Sequence, residues 1–393
     1  MSEWKKVKLR DCCERVTSGG TPKANVPSYY YPPIIPWLKT KEVNYCRITE
    51  TENFISEEGL NNSSAKLIAP NSVIIAMYGQ GDTAGRVAIN KIPLTTNQAC
   101  CNLTIDESKA DYEFIYYQLC TLYNKMVSLK AGAAQPNPNA QIIKNLEVQL
   151  PSLPMQHRIA SILSRYDSLI DNYQKQIKLL EEAAQRLYKE WFVDLHFPGH
   201  ENTKIVDGVP EGWEKKKLID LAEVQYGYAF DGKLFNNIGV GMPILRIRNI
   251  PDGITSDYTI EEVTENYIVH NGDIVVGMDG IFHINSWSGG DAYLVQRACS
   301  FRPKEEKFRG FIFQAIQEPI KFFEKTLVGA TVAHLGKKHI DSIEMIVPSN
   351  EKLYVPFLKE FIQRQNLLTQ IRLLTEARDR LLPKLMSGEF ELK

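Results

Sequence analysis

With 393 residues, 44% of them hydrophobic, the chain has room for two or three domains with sizeable cores. Its formal net charge of −1 gives the whole molecule no electrostatic sign of a polyanionic ligand, so a nucleic-acid footprint would have to be a local patch. The seven cysteines are odd in number and never form Cys-x-x-Cys, which argues against a disulfide framework and fits a reduced, cytoplasmic setting; no apolar run approaches a membrane span, and no membrane partner is expected.

Residues 1–150 read as a first, mostly β globule. Apolar runs at 73–77 and 86–89 are separated by Gly, Asn and Pro, as short strands are. A helix is expected over 112–129, then a polar loop at 131–139 and a strand at 146–150. Residues 151–197 form a long helix. Its apolar residues are Ile159, Leu163, Tyr166, Ile170, Tyr173, Ile177, Leu180, Ala184, Leu187 and Trp191, in alternating steps of 4 and 3. That heptad spacing predicts a helix that supercoils against a partner; the alternative is an amphipathic core helix.

Residues 198–350 read as a linker (197–212) and a second globule that repeats the first. Trp4-x4-Leu9-x-Asp11 recurs as Trp213-x4-Leu218-x-Asp220, and Pro36-x-Leu38-Lys39 as Pro243-x-Leu245-Arg246. Ala99-Cys100 matches Ala298-Cys299, and Gly132-Ala133 matches Gly329-Ala330. Residues 351–393 hold a second long helix and a tail. Leu367, Ile371, Leu374, Arg378 and Leu381 repeat the seam of the first helix, each 194 residues on, with Arg378 at the place of Ala184. Leu385 would continue the seam, but Pro383 is expected to end or kink the helix. The fold class is α+β: two pseudo-repeated mixed α/β domains joined by two long antiparallel coiled-coil helices. Two similar readers held by paired helices suit a duplex with a split recognition sequence.

The doubled Trp-x4-Leu-x-Asp opening, Met77-Tyr-Gly-Gln-Gly81, Gly132-Ala-Ala-Gln-Pro136 and Leu150-Pro-Ser-Leu-Pro-Met-Gln156 entering a helix with Leu-Leu-Glu-Glu-Ala occur in one order along the chain. In this the whole chain resembles the specificity subunit of a type I restriction–modification system. The resemblance implies that each globule is a target recognition domain reading half of a split sequence in double-stranded DNA. It implies that the helices act as a ruler and dock two modification subunits. Those partners would bind S-adenosylmethionine and methylate adenine N6, and separate restriction subunits would supply motor and nuclease. The second copy departs from the pattern, with Ser349-Asn-Glu-Lys-Leu-Tyr354 in place of Leu-Pro-Met-Gln, so equal docking by both halves does not follow. Other readings keep the fold but serve another methyltransferase–nuclease system, or make the chain a structural coiled-coil adaptor.

The residues themselves favour a binding subunit over an enzyme. Tyr31-Pro32-Pro33-Ile34 lacks the Asp/Asn and aromatic neighbours that hold a target amine in amino-methyltransferases. The glycines at 79, 81 and 85 fit neither G-x-G-x-x-G nor the P-loop. No metal-ligand spacing appears, and no cofactor is expected in this chain. Neither globule is basic: residues 1–150 carry 16 Lys and Arg against 14 Asp and Glu, and 205–348 carry 15 against 20. Phosphates call for cations, and base edges for Arg, Lys, Asn, Gln or an acid. The candidates are Lys39, Lys41, Tyr78, Gln80, Arg86, Asn97, Gln98 and Gln135 in the first copy. In the second they are Arg246, Arg248, Asn249, Asp279, Gln296, Arg297, Lys337 and Lys338. Arg246 and Arg248 alternate with Leu245 and Ile247, which predicts a strand with one cationic face.

Overall fold

A computed structural model describes residues 4–79, 82–128, 139–327 and 333–390. The chain forms two compact units, Met1–Ser168 with Glu376–Lys393, and Leu169–Thr375.

The first unit is built on a five-stranded sheet. Its order is Cys13–Ser18, Cys100–Ile105, Val73–Ala76, Val87–Asn90, Arg47–Ile48. The run at 73–76 is buried on both faces, which explains its unbroken apolar character. A three-stranded sheet joins Phe54–Ile55, Ile35–Leu38 and Thr95–Thr96. The expected helix at 112–129 is two helices, Tyr112–Thr121 and Tyr123–Ser128. Strand Lys5–Lys8 pairs antiparallel with Glu147–Leu150, so the doubled opening motif is a strand that closes the globule on itself.

The second unit repeats this plan. Trp213–Lys217 pairs with Glu344–Pro348. A four-stranded sheet runs Ala222–Tyr226, Ala298–Pro303, Ile274–Gly277, Ile284–Ser286. Helices Arg309–Ala315 and Gln317–Thr326 stand where the first unit has its pair. The linker region is more ordered than its composition predicts. Ile205–Val206 and Val209–Pro210 form a hairpin around Asp207 and Gly208, both at positive φ, the backbone a tight two-residue hairpin turn needs.

The first long helix is Leu153–Tyr188, continued by a π turn at Lys189–Val193. Gln156, fully buried, fixes its start: Nε2 donates to Pro151 O at 2.9 Å, and Oε1 accepts from Asp111 N at 3.0 Å. In the second copy the Tyr354 hydroxyl donates to Pro348 O at 2.6 Å, so a tyrosine closes the bond that the glutamine closes in the first. Ile159, Leu163, Ile170, Ile177 and Ala184 are buried, and Tyr166, Tyr173, Leu180, Leu187 and Trp191 are half-buried. Leu179, one step off the seam, is 65% exposed.

The second long helix, Val355–Met386, buries Leu367 and half-buries Ile371, Leu374, Arg378 and Leu381. Pro383 does not end it. The proline removes one N–H bond in the last turn, and burial of Leu385 and Met386 in the first unit's core, beside Ile159 and Leu163, offsets that loss. Within the first unit Arg378 Nη1 donates to Asp167 Oδ1 at 2.8 Å, and within the second Arg364 Nε donates to Glu181 Oε1 at 2.6 Å. Glu181 lies fourteen residues after Asp167, and Arg364 fourteen before Arg378, so the helices pair antiparallel in one register. Among the described residues no helix is long and apolar enough to cross a membrane.

Candidate nucleic-acid interface

In the first unit three segments converge on one edge. Ile35–Leu38 runs parallel to Thr95–Thr96 and delivers Lys39 beside Asn97; Asn97 N donates to Leu38 O at 2.9 Å. Val73–Ala76 runs antiparallel to Cys100–Ile105, so Tyr78 leaves the sheet where Gln98 enters it; Met77 N donates to Ala99 O at 2.8 Å. The second unit builds the same edge. Met242–Leu245 runs parallel to Ala292–Leu294 and delivers Arg246; Val295 N donates to Leu245 O at 3.0 Å, and Met278 N to Arg297 O at 2.8 Å.

These bonds correct the alignment of the two copies. Ser18 faces Cys101, whereas Tyr226 faces Cys299; Ala76 faces Cys100, whereas Gly277 faces Ala298. Cys101, not Cys100, is therefore the counterpart of Cys299. Gln98 corresponds to Gln296, and Ala99 to Arg297. A match of Ala-Cys with Ala-Cys is one residue out, because the ladder and not residue identity sets register. Gly19 and Gly227 seal the edge in both units. A Cβ at Gly19 would lie 2.2 Å from Asn97 O, and one at Gly227 2.2 Å from Val295 O. Sequence patterning does not single out these two glycines, since their constraint comes from a distant strand.

Arg246 and Arg248 are not on a strand, which corrects the expected cationic face. The strand ends at Leu245, and Ile247–Asn249 is a 3-10 turn. Asn249 caps that turn, Arg246 N donating to its Oδ1 at 2.9 Å, as Lys39 N donates to Glu42 Oε1 at 3.0 Å in the first unit. Among the described residues Lys39 and Arg246 form no ion pair; they lie over the rings of Trp37 and Phe235. Lys41, Arg86, Arg248 and Arg297 are engaged. Lys41 pairs with Glu52, whose hydrogen bond holds the ammonium pKa above its ordinary value. Arg86 binds Asp82 at 2.7 Å and Asn44 at 2.8 Å, and its hydrogen bond draws the Asp82 carboxyl below the usual range. Arg248 Nε donates to Asp257 Oδ2 at 3.0 Å. Arg297 lies 3.2 Å from Asp279, which His334 also contacts at 2.6 Å.

Gln98 accepts from the Thr21 hydroxyl and is exposed, as is Gln296. Asn97 accepts from the Cys100 thiol at 3.3 Å. Lys337 and Lys338 open a short helix, Lys337–Asp341; Lys337 lines a groove over Ala222–Tyr226 with Glu223, Lys304 and Asp341. Burial, and then Lys338, lowers the pKa of neighbouring His339. Gln80 and Gln135 lie outside the described residues, with Gly132–Ala133 and Gly329–Ala330. All seven cysteines are unbridged, and burial pushes the Cys12 thiol up to about 11 and Cys13 to about 12. Among the described residues no cluster of three His, Cys, Asp or Glu could hold a metal ion.

Sequence reading missed two buried arginine clusters. Arg47 reaches Asp167 and Glu113 and donates to the Tyr117 hydroxyl at 2.8 Å; Tyr117 donates to Asp167 at 2.5 Å. Arg364, 5% exposed, donates to Glu181, Asn285 and the Ser286 hydroxyl. One signal was available: Arg364 lies three before Leu367 and so falls on the same seam as Arg378.

Two copies of one mixed α/β globule, each presenting the same edge with different side chains and each joined to the same pair of helices, define a tandem recognition protein. The chain belongs to the type I restriction modification DNA specificity domain family, whose model matches residues 1–182 and 210–377. It is 26% identical over 416 positions to the type I restriction enzyme MjaIX specificity subunit of Methanocaldococcus jannaschii, covering 100% of this chain and 94% of that one. It is 30% identical over 141 positions to the EcoBI specificity subunit of Escherichia coli, covering 36% of this chain and 30% of that one. Its fold is like that of the type I restriction–modification S subunit from M. genitalium, at a TM-score of 0.58, 16% identity and coverage of 98% and 96%.

Proposed function

We propose that this specificity subunit selects the target of a type I restriction–modification complex by reading a split sequence in double-stranded DNA, one half per unit. It docks two modification subunits, which carry S-adenosylmethionine, and restriction subunits, which supply motor and nuclease; the chain itself performs no catalysis. The observation that carries this reading is the edge built twice on one backbone plan with different side chains at three of its places, Lys39, Tyr78 and Ala99 against Arg246, Asp279 and Arg297, and a glutamine, Gln98 or Gln296, in both. Identical frames with different contents suit two unlike half-sequences. With no strong positive excess on either globule, tight binding is expected to need the modification subunits. The test is to co-express the chain with its modification subunit and sequence the methylated bases. A two-part motif with an unspecified gap is expected. No methylation, or one uninterrupted motif, would count against the reading, as would methyl transfer by the pure single chain.

A further inference from the structure

Arg297, Asp279 and His334 form a preset constellation at the second edge. Arg297 is a non-glycine residue at φ 72°, in the left-handed region that side chains seldom adopt. Such a conformation persists only where surrounding structure holds it. Here Met278 N holds the Arg297 carbonyl at 2.8 Å, and Asp279 holds the guanidinium at 3.2 Å. Asp279 is held in turn by His334 Nδ1 at 2.6 Å, where the carboxylate accepts and the ring nitrogen donates. A second tie comes from the backbone, since Asp279 and His334 form an antiparallel bridge and Leu335 N donates to Met278 O at 2.7 Å. The Arg297 side chain is nonetheless 57% exposed. Its long, flexible stem is thus fixed at both ends of its reach while a donor face stays open.

We infer, resting on the function proposed above, that Arg297 reads a guanine in the half-target of the second unit, with Asp279 as the residue that positions it and His334 as the residue that positions Asp279. A guanidinium has five N–H donors in a rigid fork, and one contact to Asp279 leaves enough of them for two parallel bonds to guanine O6 and N7. A phosphate contact would need no such aim, because phosphate oxygens accept from many directions and carry no sequence information. The first unit has Ala99, 5% exposed, at the place of Arg297, and Tyr78 at the place of Asp279. The constellation belongs to the second unit, so the two half-targets are read differently at this place.

The test co-expresses the parent chain and single variants with the modification subunit and compares methylated motifs. Arg297→Ala is expected to relax one guanine of the second half-sequence, with preference there falling roughly ten- to hundredfold, while the first half-sequence and the gap stay as in the parent. Arg297→Lys is expected to keep part of that preference. Asp279→Asn and His334→Ala are expected to lower methylation at the same motif and relax the same guanine. An unchanged motif in Arg297→Ala overturns the inference and leaves the proposed function standing. Relaxation of a different base in Asp279→Asn makes the carboxylate itself a reader and overturns its positioning role. A parent chain that directs no two-part motif overturns both.

Discussion

Arg378, a charged residue on a largely apolar seam, donates to buried Asp167 at 2.8 Å. The pattern recurs two heptads away, where Arg364, also on the seam, donates to Glu181. Each acid follows directly on a seam residue of the first helix, Tyr166 and Leu180. Polar partners at repeating seam positions favour one register over a slip, a use for which buried polar groups in coiled coils are well suited. Burial works against the Arg378 charge, but Asp167 and Asp379 more than offset it, and its pKa stands above the ordinary value.

Removing Asp167 is therefore expected to be costly. Asp167→Ala leaves Arg47 and Arg378 without their shared carboxylate and should destabilise the chain by about 3–5 kcal/mol, as breaking a buried ion pair does. Arg378→Ala should cost less, about 1–3 kcal/mol, since Arg47 still satisfies Asp167. Urea unfolding midpoints of the two variants check the order; equal, small losses would contradict it.

Glu360 predicts a pH dependence. It is 8% exposed on the second long helix; burial, and then Glu181, raises its carboxyl to about 7, although Arg364 pulls the other way. Between the ordinary glutamate value of 4.5 and about 7 the folded state holds a proton that the unfolded state has lost. Its contribution is fully present below pH 4.5 and is lost as pH rises through 7, about 3 kcal/mol at most. Glu360→Gln should flatten that slope and gain stability relative to the parent at pH 8. Chemical denaturation at pH 5 and pH 8 reads it.

The edge glycines give a steric prediction. Gly19→Ala and Gly227→Ala each drive a methyl group into a strand backbone, where nothing flexible can yield. Each should cost about 1–3 kcal/mol, in the range of overpacking. Gly232→Ala, with open space around its Cβ position, is the control and should stay near the parent. Melting temperatures of the three variants compare them.

The matched fourteen-residue spacings predict how the helices tolerate lengthening. Duplicating four residues at 174–177 in the first helix alone sets Asp167–Arg378 and Glu181–Arg364 out of register. Duplicating 367–370 in the second helix as well restores both. Four residues add about 6 Å, and a base pair rises about 3.4 Å. The double duplication should stay active on a target whose gap is longer by one or two base pairs, while the single one should lose activity. Sequencing of methylated bases in cells reads both outcomes.

The sequence by itself determined the duplication, both seams and the family. Helical periodicity is a property of contiguous residues, and Ile159 to Trp191 display it without reference to anything distant. Lys39, Tyr78, Gln98 and their counterparts converge because each lies one or two residues beyond a strand, and those strands are what patterning can find. Only the tertiary structure decided what those side chains do. Arg248 is held by Asp257, Arg297 by Asp279, and Arg86 by Asp82 and Asn44, and all of these partners except Asp82 come from other turns or strands that no local pattern connects. The one-residue shift that pairs Cys101 with Cys299 was likewise invisible, since a short identity such as Ala-Cys carries little information and the backbone ladder alone fixes which residue faces which. Cys101 and Cys299 correspond because their strands hydrogen-bond in the same way, and that is settled by chain segments some eighty residues away.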